Sequence, residues 1–98
     1  MSPSVSEIRD TLVSLKSEVK RQFHIELRGI FGSFVRGEEQ PESDIDILVE
    51  CLHETTLFDV ASLSMFLEDR LQRSVDIIPE RSIRPEIRSN IIHELIRL

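Results

Sequence analysis

Tryptophan and tyrosine are both absent from this chain, and five phenylalanines are its only aromatic residues. Base-stacking platforms for single-stranded nucleic acid are therefore scarce. Basic residues are also in short supply, twelve against eighteen acidic ones, for a net charge of −6 with the histidines neutral. That balance argues against an affinity built on neutralising phosphates, so direct nucleic-acid binding is not expected. One local exception is the basic cluster Arg81, Arg84, Arg88 and Arg97. With a single cysteine, Cys51, no intramolecular disulfide can form, and its place after an apolar strand pattern reads as that of a small buried hydrophobe. No apolar run approaches the ~20 residues that span a bilayer. The first ten residues, MSPSVSEIRD, lack a basic segment ahead of an apolar one, so no signal peptide is visible and a cytoplasmic chain is expected.

What remains is an ordinary globular composition, 40% apolar and 31% charged, without repeats or low-complexity tracts. Its 98 residues make one domain, residues 1–98, with a real but small core. Ser4 and Glu7 fit a capping box, and Val5, Ile8, Leu12, Leu15 and Val19 recur at helical spacing, predicting a helix over about 5–22. Residues 25–31, IELRGIF, begin with apolar-polar alternation and predict a strand. In DIDILVEC, Ile45, Ile47 and Val49 alternate with Asp44, Asp46 and Leu48, predicting a strand with both carboxylates on one face. Thr56 and Asp59 can cap a largely buried helix to about residue 72, carrying Leu57, Val60, Ala61, Leu63, Met65, Phe66, Leu67 and Leu71. SVDIIP, residues 74–79, predicts a short strand with Asp76 opposite Val75 and Ile77. Pro85 suits the first turn of a final helix with Ile87, Ile91, Ile92, Leu95 and Ile96 as its apolar stripe. The fold class is α/β (α+β), a small mixed sheet of three or so strands with flanking helices.

The chemistry lies in GSFVRGEEQPESDID, residues 32–46. Taken singly, a Gly-Ser pair after a strand is a turn, and Asp-X-Asp at a strand start is a solvated face. Together they are more. Asp44 and Asp46 stand about 6.5–7 Å apart along one strand face, and Asp76 joins them if its strand lies alongside. Three converging carboxylates repel one another unless cations enter. Hard oxygens suit Mg²⁺, which binds one or two carboxylates together with substrate phosphates, and a pair of such ions can clamp an in-line phosphoryl displacement. Upstream, Gly32 allows close backbone approach, Ser33 offers a hydroxyl and an N–H, and Arg36 a positive fork for a triphosphate. His24, His53 and His93 show no ligand spacing.

These residues also resemble a known family. Gly32-Ser33 followed by Asp44-X-Asp46, with a third aspartate on a later strand, is similar to the signature of the DNA polymerase beta-like nucleotidyltransferase superfamily. The fuller pattern, Gly32-Ser33-Phe34-Val35-Arg36-Gly37 and Ser43-Asp44-Ile45-Asp46-Ile47-Leu48-Val49, resembles its smallest branch, the minimal nucleotidyltransferases (MNT). The likeness extends through VDII around Asp76 and the RPEIRSNIIHEL tail. It implies a polymerase beta-like palm fold and transfer of AMP from ATP to a hydroxyl. Asp44, Asp46 and Asp76 would be ligands of two Mg²⁺ ions, with Asp76 also helping to deprotonate the acceptor. Gly32, Ser33, Arg36 and Ser43 would bind the nucleotide. Relatives of this size resemble antitoxins paired with an all-helical HEPN ribonuclease toxin, silenced by AMP placed on a tyrosine. Because this chain has no tyrosine, a tyrosine acceptor must sit on another molecule. Two other readings stay open, an inert antitoxin that inhibits by contact and a transferase acting on a small molecule. Arg81, Arg84 and Arg88, flanking the third strand, read first as a solvated face, with contact of Arg84 to phosphate or partner as the alternative.

Overall fold

The computed structural model describes residues 4–37 and 44–98. Helix α1 spans Val5–Phe23, and its N-cap Ser4 accepts the Glu7 N–H at 3.1 Å while its hydroxyl donates to the Glu7 carboxylate. Strand β1 is Ile25–Phe31, the single-turn helix α2 is Ser33–Arg36, and strand β2 is Ile45–Cys51. Helix α3, Leu57–Leu71, opens with the complete Thr56–Asp59 capping box. Strand β3, Val75–Pro79, leads through a 3₁₀ turn at Glu80–Ser82 into helix α4, Pro85–Glu94, and strand β4, Ile96–Arg97.

The sheet has four strands in the order β3-β2-β1-β4, with β2 and β3 parallel and the other neighbours antiparallel. A parallel pair needs a crossover, and α3 supplies it. One face carries the core. Ile8, Leu12, Leu15, Val19 and Phe23 of α1, with Leu63, Leu67 and Leu71 of α3, close over Ile25, Leu27, Ile30, Ile45, Ile47, Val49 and Val75. The alternation expected in β2 holds, because Ile45, Ile47 and Val49 are all fully buried.

In β1 the alternation breaks, and the break has a use. The register with β2 shifts between Leu27 and Gly29, leaving Arg28 as the extra residue of a bulge. Core-facing positions change from odd (Ile25, Leu27) to even (Ile30), so Gly29 and Phe31 turn to the opposite face. Phe31 then pairs with Asp46 across the sheet.

Three expectations need correction. The outer side of α3 is not buried: Leu57, Phe58 and Met65 are 90%, 80% and 73% exposed. Met65 sits roughly 200° around the helix from Leu63, and only one side of a helix can meet the sheet. The final helix stops at Glu94, and Leu95–Ile96 leave its stripe, because the open edge of β1 takes Ile96–Arg97 as a fourth strand. Gly29 makes room for it, since a Cβ there would come 2.6 Å from the Ile96 carbonyl and 2.8 Å from the Leu95 side chain. Cys51 is half-buried, packed on the edge of the core rather than within it.

Candidate functional site

The site lies on the sheet face opposite the core, at the carboxyl end of β1. There the Gly-Ser turn and the parallel β2-β3 pair meet. Phe31, Asp46 and Asp76 form one row across three adjacent strands, Phe31 paired with Asp46 and Asp46 with Asp76. Neighbouring strands are ~4.8 Å apart, so the last two carboxylates leave the sheet side by side. Asp44 stands exposed one residue ahead of β2, two positions before Asp46.

Gly32 joins the turn to this row. Its backbone has φ 90° and ψ −164°, a region essentially reserved for glycine. A Cβ there would overlap Asp46 Oδ2 and come within 3.0 Å of its Cγ. The turn can therefore press against Asp46 only because residue 32 has no side chain. Ser33 then opens α2, whose Phe34 is buried in the core and fixes its direction. Ser43 lies outside the described residues.

Asp46 is half-buried, and its carboxyl is held above the ordinary carboxylate range. Burial is the main cause; the negative charges of Asp76 and Asp44 add to it, the Arg36 guanidinium opposes it, and Glu94 raises it further. Accumulated negative charge of this kind is relieved by a cation. The donors are the hard oxygens that magnesium prefers, and they fit it in chemistry and in charge. Among the described residues, no three His, Cys, Asp or Glu side chains already converge as a finished metal cage.

One residue of the site went unseen in the sequence. The Glu94 carboxylate accepts the Gly32 N–H at 3.1 Å and Arg36 Nη1 at 3.1 Å and 3.0 Å through its two oxygens. Arg36 is thus brought beside the turn, as expected, with a carboxylate on it. A signal was present: Ile87, Asn90, Ile91 and Glu94 recur at helical spacing and line one cleft of about 410 Å³ with Phe31, Gly32, Ser33, Arg36 and Asp46. An acid at the end of an apolar stripe faces something positive or wet.

A second cleft, also about 410 Å³, lies beside Asp46 and Asp76 and is walled by Phe31, Ile78, Ile83, Ile87 and Ile91, with Ser82 and Arg84 at its rim. Arg84 is therefore beside the carboxylates. The expected basic cluster, however, is dispersed: Arg81 and Arg88 line a third cleft with Glu50, Cys51 and Glu80, and Arg97 lines a fourth.

The site is thus a Gly-Ser turn packed on one of two paired aspartates of a small mixed sheet. The chain belongs to the polymerase beta nucleotidyltransferase family, whose pattern it matches over residues 14–98. It is 32% identical over 93 residues to the protein adenylyltransferase MntA of Thermococcus cleftensis, covering 95% of this chain and 94% of the relative. It is 35% identical over 94 residues to MJ0126 of Methanocaldococcus jannaschii, described as a candidate protein adenylyltransferase, covering 95% and 96%. A solved structure described as a candidate minimal nucleotidyltransferase superposes with a TM-score of 0.79 at 33% identity, over 98% of this chain and 97% of the other. A toxin–antitoxin structure with AMP-PNP superposes at 0.68 and 21% identity, over 90% and 69%, a likeness of fold. No helix among the described residues is long and apolar enough to cross a membrane.

Proposed function

We propose that this chain transfers AMP from ATP to a hydroxyl, a tyrosine, of an all-helical HEPN ribonuclease toxin and so acts as its antitoxin. The observation that carries the reading is the row of Asp46 and Asp76 in register on parallel strands, with Gly32 pressed against Asp46. Relatives named protein adenylyltransferase and aligned along nearly their whole length support a protein acceptor.

In this reading Gly32 and Ser33 hold the triphosphate tail, and Arg36 adds a positive fork to it, with Ser43 as a further nucleotide-binding residue. Asp44, Asp46 and Asp76 would hold two Mg²⁺ ions, which when bound offset charge on the phosphates. The acceptor oxygen bonds to the α-phosphorus, the bond from that phosphorus to the bridging oxygen breaks, and pyrophosphate leaves. Asp76, exposed at the strand edge beside Asp46, takes the acceptor's proton and passes it to solvent. Most of the acceleration comes from positioning and charge placement rather than covalent chemistry by the protein. Two clefts that share Phe31, Asp46, Ile87 and Ile91 open on the site, one reaching Gly32 and Ser33 and the other Asp76.

The test is to co-express the chain with the helical protein encoded beside its gene and map modifications on that partner by tandem mass spectrometry. AMP on a tyrosine, absent with Asp44→Asn and Asp46→Asn, is the expected result. A partner bound and silenced equally by wild type and variants, with no nucleotide attached, would make the chain an inhibitor by contact.

A further inference from the structure

We infer that Glu94 is a built-in competitor for the triphosphate, a carboxylate seated on the donors that the nucleotide must use. This rests on the nucleotide-binding reading of Gly32 and Arg36. A backbone N–H has one hydrogen to give, and that of Gly32 is spent on Glu94 Oε1 at 3.1 Å. Arg36 Nη1 meets both oxygens of the same carboxylate, at 3.1 and 3.0 Å. A carboxylate and a phosphate edge present the same two-oxygen acceptor to such donors. Both cannot occupy this corner at once.

Glu94 is not a loose surface side chain that happened to land there. Its side chain is 27% exposed, and the chain that follows it is anchored. Before it, Ile87 and Ile91 line the same cleft as Gly32, Ser33 and Asp46. After it, Leu95 packs over the bare Cα of Gly29, Ile96 and Arg97 pair with β1, and Leu98 donates to the Arg28 carbonyl at 3.1 Å. Arg9 Nε also holds the Arg97 carbonyl at 3.1 Å. The bulge that turns Gly29 and Phe31 toward the site face thus also docks the tail that delivers Glu94. The carboxylate is held where negative charge already accumulates, and it adds to the burden on Asp46. With triphosphate on Gly32 and Arg36, Glu94 must leave, and the site exchanges an internal anion for an external one.

The experiment compares wild type with Glu94→Gln and Glu94→Ala in two readouts, thermal melting without nucleotide and ATP binding by calorimetry with Mg²⁺ present. The expected signature is a change of opposite sign. Both variants melt lower alone, having lost the ion pair, yet bind ATP about three- to tenfold more tightly, tenfold corresponding to ~1.4 kcal/mol. A merely structural Glu94 would lower melting and weaken ATP together, and that result, or unchanged affinity, overturns the inference while leaving nucleotide binding intact. Absence of ATP binding in wild type and both variants alike would instead overturn the nucleotide-binding reading, and the inference with it.

Discussion

Replacing Gly32 by alanine should damage both stability and chemistry, and the size of the damage follows from its geometry. At φ 90° and ψ −164° the backbone occupies a region that costs a side-chain-bearing residue roughly 1–3 kcal/mol. The added methyl would also overlap Asp46 Oδ2, so either the carboxylate swings away or the turn shifts. Displacing a half-buried carboxylate from its place raises the total to about 2–4 kcal/mol, a large share of the ~5–15 kcal/mol that holds a domain together. Gly37→Ala is the control. It too has positive φ, 76°, but among the described residues a Cβ there meets nothing within 4 Å, which leaves the left-handed cost of about 1–2 kcal/mol. Urea denaturation with midpoint and slope for both variants measures the difference, and AMP transfer to the partner is read on the same preparations. Gly32→Ala should be the less stable and inactive, and Gly37→Ala should remain active. Equal stability losses in the two variants would refute the contact between the turn and Asp46.

Gly29→Ala should push Leu95 and Ile96 off β1, seen as faster hydrogen exchange at the Leu98 amide with little change at Leu27; unchanged exchange would mean β4 docks without needing that gap. Gln72 caps α3 in the left-handed region at φ 55°, so Gln72→Gly should stabilise by up to about 1 kcal/mol in the same denaturation assay, and a loss would refute the capping argument. Asp46 titrates above its ordinary range because of burial and then of Asp76 and Asp44, so its ionisation withdraws stability as pH climbs from the ordinary carboxylate value through the raised one. Asp46→Asn should accordingly stabilise the metal-free chain at pH 7 and lose that advantage below the ordinary carboxylate range. A difference that stays constant with pH would refute it.

Much of this was legible in the residues because burial imposes a period. The α1 stripe from Ile8 to Val19 and the β2 alternation at Ile45, Ile47 and Val49 each face one continuous core, so sequence period and structure agree. Placing Asp46 and Asp76 on a shared face required only that alternation and a parallel neighbour, and the register pairs the two, while Asp44 lies one residue before β2, outside the paired stretch. Less legible was whatever depended on how elements meet. The bulge at Arg28 breaks the period locally, and nothing in IELRGIF alone shows that its purpose is to turn Phe31 toward Asp46. The apolar outer side of α3 reads as core until the single contact face of that helix is known. Strand β4 is two residues long, too short for any period, and its pairing follows from a glycine more than sixty residues upstream. Glu94 went unseen for the same reason, since its significance comes from Gly32 and Arg36, which are distant in the chain.

Reconstitution of the transfer reaction tests the central claim most directly. Purified chain, purified helical partner, ATP and Mg²⁺ are combined, and the intact mass of the partner is taken before and after. Wild type should add one or more AMP units to the partner, while Asp44→Asn and Asp46→Asn, folded by melting, should add none. A partner mass that never changes, in a mixture where the wild-type chain binds both ATP and partner, would contradict nucleotidyl transfer as the work of this site.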